Sequence, residues 1–260
     1  MLVYPQLGTG ALSQFPIVKT QKSRTVLNLA PDGSTFKLAD SAGGATEWVL
    51  SYEDLGDDEV AVLSTFFASA EGTLNSFTFM DPAGNLLAWS DDLDNAVWQK
   101  DPLLTLLGGQ AGPSGGTGAW NLSNGGGGSQ GISQTLAAPG GFQYCMSAYV
   151  RAATPAGVRL SIGSQSVQQQ AGAVLNRVVF TATGDPLSTS TEFAISIDAG
   201  ASVQIYGPQV EPQGGASGYK LSTTGGVYPN AHLGSDLLSI TATDMNRHSL
   251  KVKIINVNHL

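Results

Sequence analysis

Two overlapping glycine-rich matches invite catalytic readings. Gly127-Gly128-Ser129-Gln130-Gly131 has the spacing of a nucleophile elbow, and Gly126 to Gly131 has the spacing of a dinucleotide fingerprint. Either chemistry needs a strand before the glycines and a helix after them, so that backbone N–H groups at the helix start can meet an anion. Here a glycine run precedes the match and Ser133 to Gly141 follows without a helical period. A serine nucleophile also needs a histidine base, and His232, His248 and His259 all lie in the last segment of the chain. Both matches are therefore read as accidents of composition. Asp91, Asp92 and Asp94 could offer oxygen ligands to calcium, but neither the sharp-turn glycine nor the closing glutamate of a calcium loop accompanies them. A solvated turn is expected there. No His or Cys pair has zinc spacing, and no Asp or Glu between residues 85 and 226 sits in a distinctive glycosidase motif. The expectation is no catalytic residue, no metal and no cofactor.

Composition divides the elements that would position any site. Residues 85 to 226 hold 24 of the 33 glycines but only 13 of the 32 charged residues, so two kinds of sequence alternate along the 260 residues. Each is long enough to bury a core without disulfides. Cys145, the single cysteine, lies in a strand-like run and has no intrachain partner. The net charge of -8 excludes a general nucleic-acid binder, which needs a basic face. No apolar run approaches a membrane span, and no charged-then-apolar leader follows Met1, so synthesis and folding in the cytosol are expected.

The flanking segments read as strands around one helix. Phe15 to Lys19, Arg24 to Leu29, Ser34 to Leu38, Thr46 to Tyr52 and Thr73 to Met80 are strand-like. Between them, Gly56 or Asp57 caps a helix whose first turn carries Asp58 and Glu59, whose apolar stripe is Val60, Leu63, Phe66, Phe67 and Ala70, and past whose end Gly72 suits a left-handed residue. At the C-terminus, Leu238 to Thr243 and Leu250 to Ile254 alternate apolar with polar residues and predict a half-buried hairpin. Such a hairpin is marginal alone. The glycine-rich stretch upstream is a poor partner, so the N-terminal strands are the expected one.

These flanks resemble a known family. Trp48 to Tyr52, Asp57-Asp58-Glu59, Phe66-Phe67, Glu71-Gly72 and Phe77-Thr78-Phe79-Met80-Asp81-Pro82, in that order, are similar to the distal tail proteins of long-tailed phages, and most of all to minor tail proteins of the lambda M type. The resemblance covers roughly residues 1 to 87 and 227 to 260. It implies a β-sandwich that assembles as a hexameric ring between tail tube and tail hub, at the tail tip of the virion, with no catalytic residues. On this reading residues 1 to 84 with 227 to 260 form one discontinuous domain, and residues 85 to 226 are inserted into it.

The insert resembles the jelly-roll carbohydrate-binding-like modules of phage tail proteins. Its opening carries Asn85-Leu86-Leu87, Ser90 and Asn95-Ala96-Val97-Trp98, and its close carries Val203 to Glu211 and then Gly218 to Thr223. Gln143 to Val150, Val158 to Ile162, Val174 to Thr181 and Glu192 to Ile197 read as short strands between turns, which suits an all-β sandwich. Gly108 to Gly131 reads as a long flexible loop or a poorly ordered apron. Sugar sites combine an aromatic face with amides or carboxylates. The candidates are Trp120, as an exposed aromatic in that loop, with Gln165, Gln168 and Gln170 along one rim; Trp89, Trp98 and Tyr149 are expected in the core. The whole is thus expected to be mainly β: a split tail-ring sandwich with one helix, carrying a jelly-roll insert that meets a host-surface glycan. Eleven acids and no base run from Glu47 to Asp94. Glu47, Asp57, Asp58 and Glu59 are therefore expected to face Lys19, Lys22, Arg24, Lys251 and Lys253 of a neighbouring copy. A free carbohydrate-binding protein and a polysaccharide-degrading tail enzyme are the alternatives.

Overall fold

A computed structural model describes residues 2–113 and 115–257. The chain separates into two compact units, one of Met1–Gly8, Leu12–Phe79 and Tyr228–Leu260, the other of Thr9–Ala11 and Met80–Val227. It is mainly β, with one helix.

The first unit is built on a six-stranded antiparallel sheet. Strands β1 (Ile17–Leu29), β2 (Thr35–Leu55), β16 (Arg247–Val257), β14 (Val227–Leu233) and β3 (Phe77–Met80) lie side by side in that order, and β15 (Ile240–Asp244) pairs with β16. The C-terminal strand is therefore central. Val252 lies opposite Leu50 and Ile254 opposite Trp48, and Leu250, Val252 and Ile254 are all buried while the intervening lysines are not. The helix α1 (Asp57–Ala70) buries Leu63, Phe66 and Ala70. Glu59 Oε2 accepts the N–H of Gly56 at 3.2 Å, satisfying a donor at the helix start, and both Glu71 and Gly72 take positive φ at its end. Tyr4, Trp48, Phe66, Phe77 and Phe79 meet largely edge to face. The hydroxyls of Tyr4 and Tyr52 share a 2.7 Å hydrogen bond within this core. Burial pushes both phenols above the ordinary tyrosine value.

Two expectations change here. The short runs in the first forty residues join into two long strands that bulge where Gly43 faces Arg24, since a side chain at Gly43 would collide with that arginine. Their outer halves lie beyond Ala45, the last β2 residue paired with the described part of β16, and form a two-stranded arm. The turn is closed by Ala30 N–H to Ser34 O at 2.8 Å, with Gly33 left-handed. Finally β15 is exposed at every position, so only one strand of the C-terminal hairpin is half-buried.

The second unit is a β-sandwich of the jelly-roll type, made of two five-stranded antiparallel sheets. One has the order β10 (Gln165–Ala171), β9 (Ala156–Ile162), β12 (Thr191–Ile197), β7 (Gln130–Leu136), β4 (Gln99–Lys100). The other has β11 (Asn176–Thr183), β8 (Gln143–Arg151), β13 (Ser202–Glu211), β6 (Ala119–Asn124), β5 (Leu104–Gln110). Leu160, Ile162, Phe193 and Ile195 of the first sheet and Tyr144, Met146, Val150 and Ile205 of the second are buried, and Tyr144 meets Phe193 edge to face at 5.3 Å. The opening and closing motifs hold one another. Asn85 Oδ1 accepts from Val210 N and its Nδ2 donates to Pro208 O, while Ser90 and Tyr219 exchange a 2.9 Å hydroxyl bond.

The expected flexible loop from Gly108 to Gly131 is corrected. It contains β5's end, all of β6 and β7's start. Its glycines are spacers for packing: a Cβ on Gly108 would lie 3.1 Å from the Trp120 ring, one on Gly112 3.2 Å from Tyr206, and one on Gly131 only 2.4 Å from Ile195 O.

Candidate functional site

Strand register assembles a polar row that no local motif announces. On β8 the buried Val150 is followed by Arg151 on the opposite face; Arg151 lies opposite Gln204 of β13, and Gln204 opposite Asn121 of β6. Arg151 Nε donates to Gln204 Oε1 at 2.6 Å, and Gln204 Nε2 donates to Ala111 O at 2.5 Å. Asn121 Nδ2 reaches the hydroxyls of Ser123 and Ser202, each at 3.1 Å. These bonds fix the three side chains before any ligand arrives.

The row floors a cleft of about 900 Å³. Its walls are Ala152–Ala156 after β8, Ala173 before β11, and the turn Asp198–Ser202 between β12 and β13. That volume falls within the usual range for ligand pockets, roughly 300–1,000 Å³. Asp198 takes the N–H of Gly157 at 3.0 Å and the amide of Gln168 at 3.0 Å, and Gln168 in turn accepts from Arg159 at 3.0 Å. The small walls leave the polar groups accessible, and no aromatic side chain lines the space.

One pleat further along, about 7 Å away by strand rise, the same face carries Tyr149 opposite Tyr206. Tyr219 packs edge-on against Tyr206 at 5.2 Å, Arg177 lies over Tyr149 at 5.4 Å, and Gly112 and Gly118 close on Tyr206. The rings are occupied as a packed wall. Burial drives the Tyr219 phenol up to about 12 against the opposing Ser90 bond. Below it, Glu211 is fully buried against Lys220 at 2.9 Å. Burial alone would raise its carboxyl, but donors from Ser217, Lys220 and Gln209 outweigh that and hold it below the usual range. Glu211 is spent on fixing the closing segment.

The sequence candidates divide. Gln168 reaches the cleft through Asp198, whereas Gln165 and Gln170 stand exposed along edge strand β10 without bonds to its lining. Trp120 is corrected as a platform in a mobile tract: it sits half-buried on β6, one residue out of phase with Asn121, and its indole N–H donates to Asp91 O at 2.8 Å. Trp98 is in the core as expected, while Trp89 is 39% exposed. Among the described residues no cluster of metal-ligating side chains occurs, and Asp94 pairs with Lys100 at 3.3 Å.

The charged residues assigned to a neighbour find partners at home. Lys22 and Lys253 both bind Glu47, at 2.5 and 3.1 Å, and Arg24 pairs with Asp40. Alternation along paired strands thus brings these opposite charges together within one chain. Lys19 lies 5.6 Å over the Trp48 ring. Asp57 contacts His248 at 2.6 Å, Glu59 caps the helix, and Asp58 and Lys251 are exposed.

Solved structures of similar fold include carbohydrate-binding modules. TmCBM61, solved in complex with beta-1,4-galactotriose, is 12% identical over 49% of this chain and 98% of that chain, with a TM-score of 0.37. The CBM22-1 xylan-binding domain from Paenibacillus barcinonensis Xyn10C is 12% identical over 54% and 95%, with a TM-score of 0.39. The enzymatically active domain of bacteriophage CBA120 tailspike protein 4 is 14% identical over 51% of this chain, with a TM-score of 0.39, and the match spans only 22% of the tailspike chain. No family model and no curated protein matches the sequence.

Missed by sequence reasoning were Arg151, Asn121, Gln204, Asp198 and Ser202. The available signal was strand parity: after a run alternating about Tyr144, Met146, Ala148 and Val150, Arg151 had to point away from the core.

Proposed function

We propose that the chain is an assembly protein of a phage tail tip whose first unit joins copies of itself into a ring, and whose second unit meets a host-surface glycan. The observation that carries the assembly reading is the arm of β1 and β2. Leu27 and Leu29 are 61% and 77% exposed on one face, and Phe36 and Leu38 are 59% and 55% exposed on the other. A two-stranded ribbon with large apolar side chains on both faces has no core of its own, and exposed apolar area of this kind marks an interface. Its occupant is a second copy, because in a cyclic assembly each subunit offers one patch to a different patch on the next. The hexameric count and the tube and hub as neighbours rest on the resemblance at residues 1 to 87 and 227 to 260. The glycan reading rests on the polar cleft.

Light scattering of the full chain tests the assembly. A mass several times 26.8 kDa that falls to one subunit on Leu27→Ser with Phe36→Ser supports it. A monomer at about 100 μM, at low and at moderate salt, overturns it and leaves the free carbohydrate-binding protein, which the same cleft would serve.

A further inference from the structure

Resting on the glycan reading, we propose that the cleft is built for an acidic sugar, with Arg151 taking the carboxylate of a uronate-type residue and Asp198, Asn121 and Ser202 taking its hydroxyls. Arg151 is one of only five bases between residues 85 and 226. The other four are engaged. Lys100 and Lys220 pair with Asp94 and Glu211, Arg177 stacks on Tyr149 and binds Ser217 O and Ser147 Oγ, and Arg159 holds Gln168. Arg151 alone is both in the cleft and, among the described residues, without a carboxylate partner.

Its Nε is committed to Gln204, which is itself anchored to Ala111 O. This fixes the guanidinium plane and leaves the two Nη groups as a preset fork, the geometry that takes a carboxylate through two parallel bonds. A neutral glycan would leave that cation without a direct carboxylate partner. Asp198 lies beyond 4 Å of Arg151, since the two form no salt bridge, and is held to the Gly157 and Gln168 side of the cleft by their N–H donors. Its remaining lone pairs, with the Asn121 amide and the Ser202 hydroxyl, are suited to sugar hydroxyls.

The test uses the full chain and an array of glucuronate- and galacturonate-containing oligosaccharides, their methyl esters, matched neutral oligosaccharides and sugar phosphates, followed by calorimetry on the strongest hit. The expected result is binding of a uronate oligosaccharide, weakened about tenfold to a hundredfold by methyl esterification and equally by Arg151→Gln, as for loss of a charged hydrogen-bond pair. Arg151→Lys retains part of the affinity, and the melting temperature of each variant verifies folding. Asp198→Asn weakens acid and ester alike. If neutral glycans bind as tightly as uronates and Arg151→Gln changes nothing, the acidic-sugar assignment fails while the glycan reading stands. Preference for sugar phosphates over uronates also overturns it. If no glycan on the array binds, both fail.

Discussion

Replacing Ile254 by alanine should destabilise the first unit by about 3 kcal/mol, whereas the same replacement at Ile240 should cost about 0.5 kcal/mol or less. Both isoleucines belong to the C-terminal hairpin, but Ile254 is fully buried opposite Trp48 between β2 and β14, and Ile240 is 40% exposed on β15. Truncation of Ile254 removes three carbons from the core, at about 0.8 kcal/mol each, or about 2.4 kcal/mol. The space beside the Trp48 and Phe79 rings, which already pack at 5.0 Å, cannot collapse fully, and the residual cavity brings the total to about 3–4 kcal/mol. Urea unfolding followed by tryptophan fluorescence reports on this directly, since Trp48 is the only tryptophan of the first unit. Peptide-resolved hydrogen exchange separates the units, with faster exchange expected in β2 and β16 and none in β8 or β13. Equal costs at the two positions would refute the claim that β16 is a core strand and β15 an uncovered one.

Gly131→Ala should destabilise the second unit by about 1–3 kcal/mol in thermal unfolding, because its Cβ would meet a backbone oxygen at 2.4 Å, while Gly127→Ala, with open space around it, should be neutral. Glu211→Gln should cost about 1–3 kcal/mol through its buried donors. The Glu211 carboxyl is lowered in the folded state, so its contribution is present above the unfolded glutamate value of about 4.3 and is lost as pH falls through the folded value; an acid-unfolding midpoint that Glu211→Gln leaves unmoved would refute this. Tyr219, raised to about 12, contributes stability that is complete below the unfolded value of about 10 and is lost as pH rises through 12, measurable as a late phenolate step at 295 nm absent in Tyr219→Phe.

The alternation in Leu250-Lys251-Val252-Lys253-Ile254 was legible because a strand with one covered face must write that face into every second residue. The same alternation in Leu238 to Thr243 misled, since a period of two records which face is apolar and not whether anything lies over it; β15 pairs with β16 and stays exposed. Helix α1 was legible to within its cap, because the acids of its first turn and the Leu63, Phe66, Ala70 stripe are local facts. The glycine tract was not. Gly108, Gly112 and Gly131 are glycines on account of Trp120, Tyr206 and Ile195, and in composition alone a glycine that admits a neighbour looks the same as one that admits motion. The cleft was least legible of all. Asn121, Arg151 and Gln204 lie 30 and 53 residues apart and become neighbours only through the registers of β6, β13 and β8.

The absence of an aromatic platform in the cleft bears on how such a site would work. A hydrogen-bonding cleft without ring stacking forgoes the apolar contribution that aromatic faces supply, and polar contacts to a hydrated sugar gain little net free energy each. Affinity per site is then expected near millimolar, about 4 kcal/mol. In the proposed ring that weakness is offset by copy number, because once one cleft engages, the others face the same surface at high effective concentration. The proposed ring would thus link the functions of the arm and the cleft. Dispersing the ring through Leu27 and Phe36 should leave the affinity for a soluble oligosaccharide unchanged while reducing retention on a glycan-coated surface by a hundredfold or more, within the range of avidity effects of about 10²–10⁴. Equal loss in both assays would mean that the arm substitutions had damaged the cleft itself; equal retention in both would mean that assembly contributes nothing to adhesion.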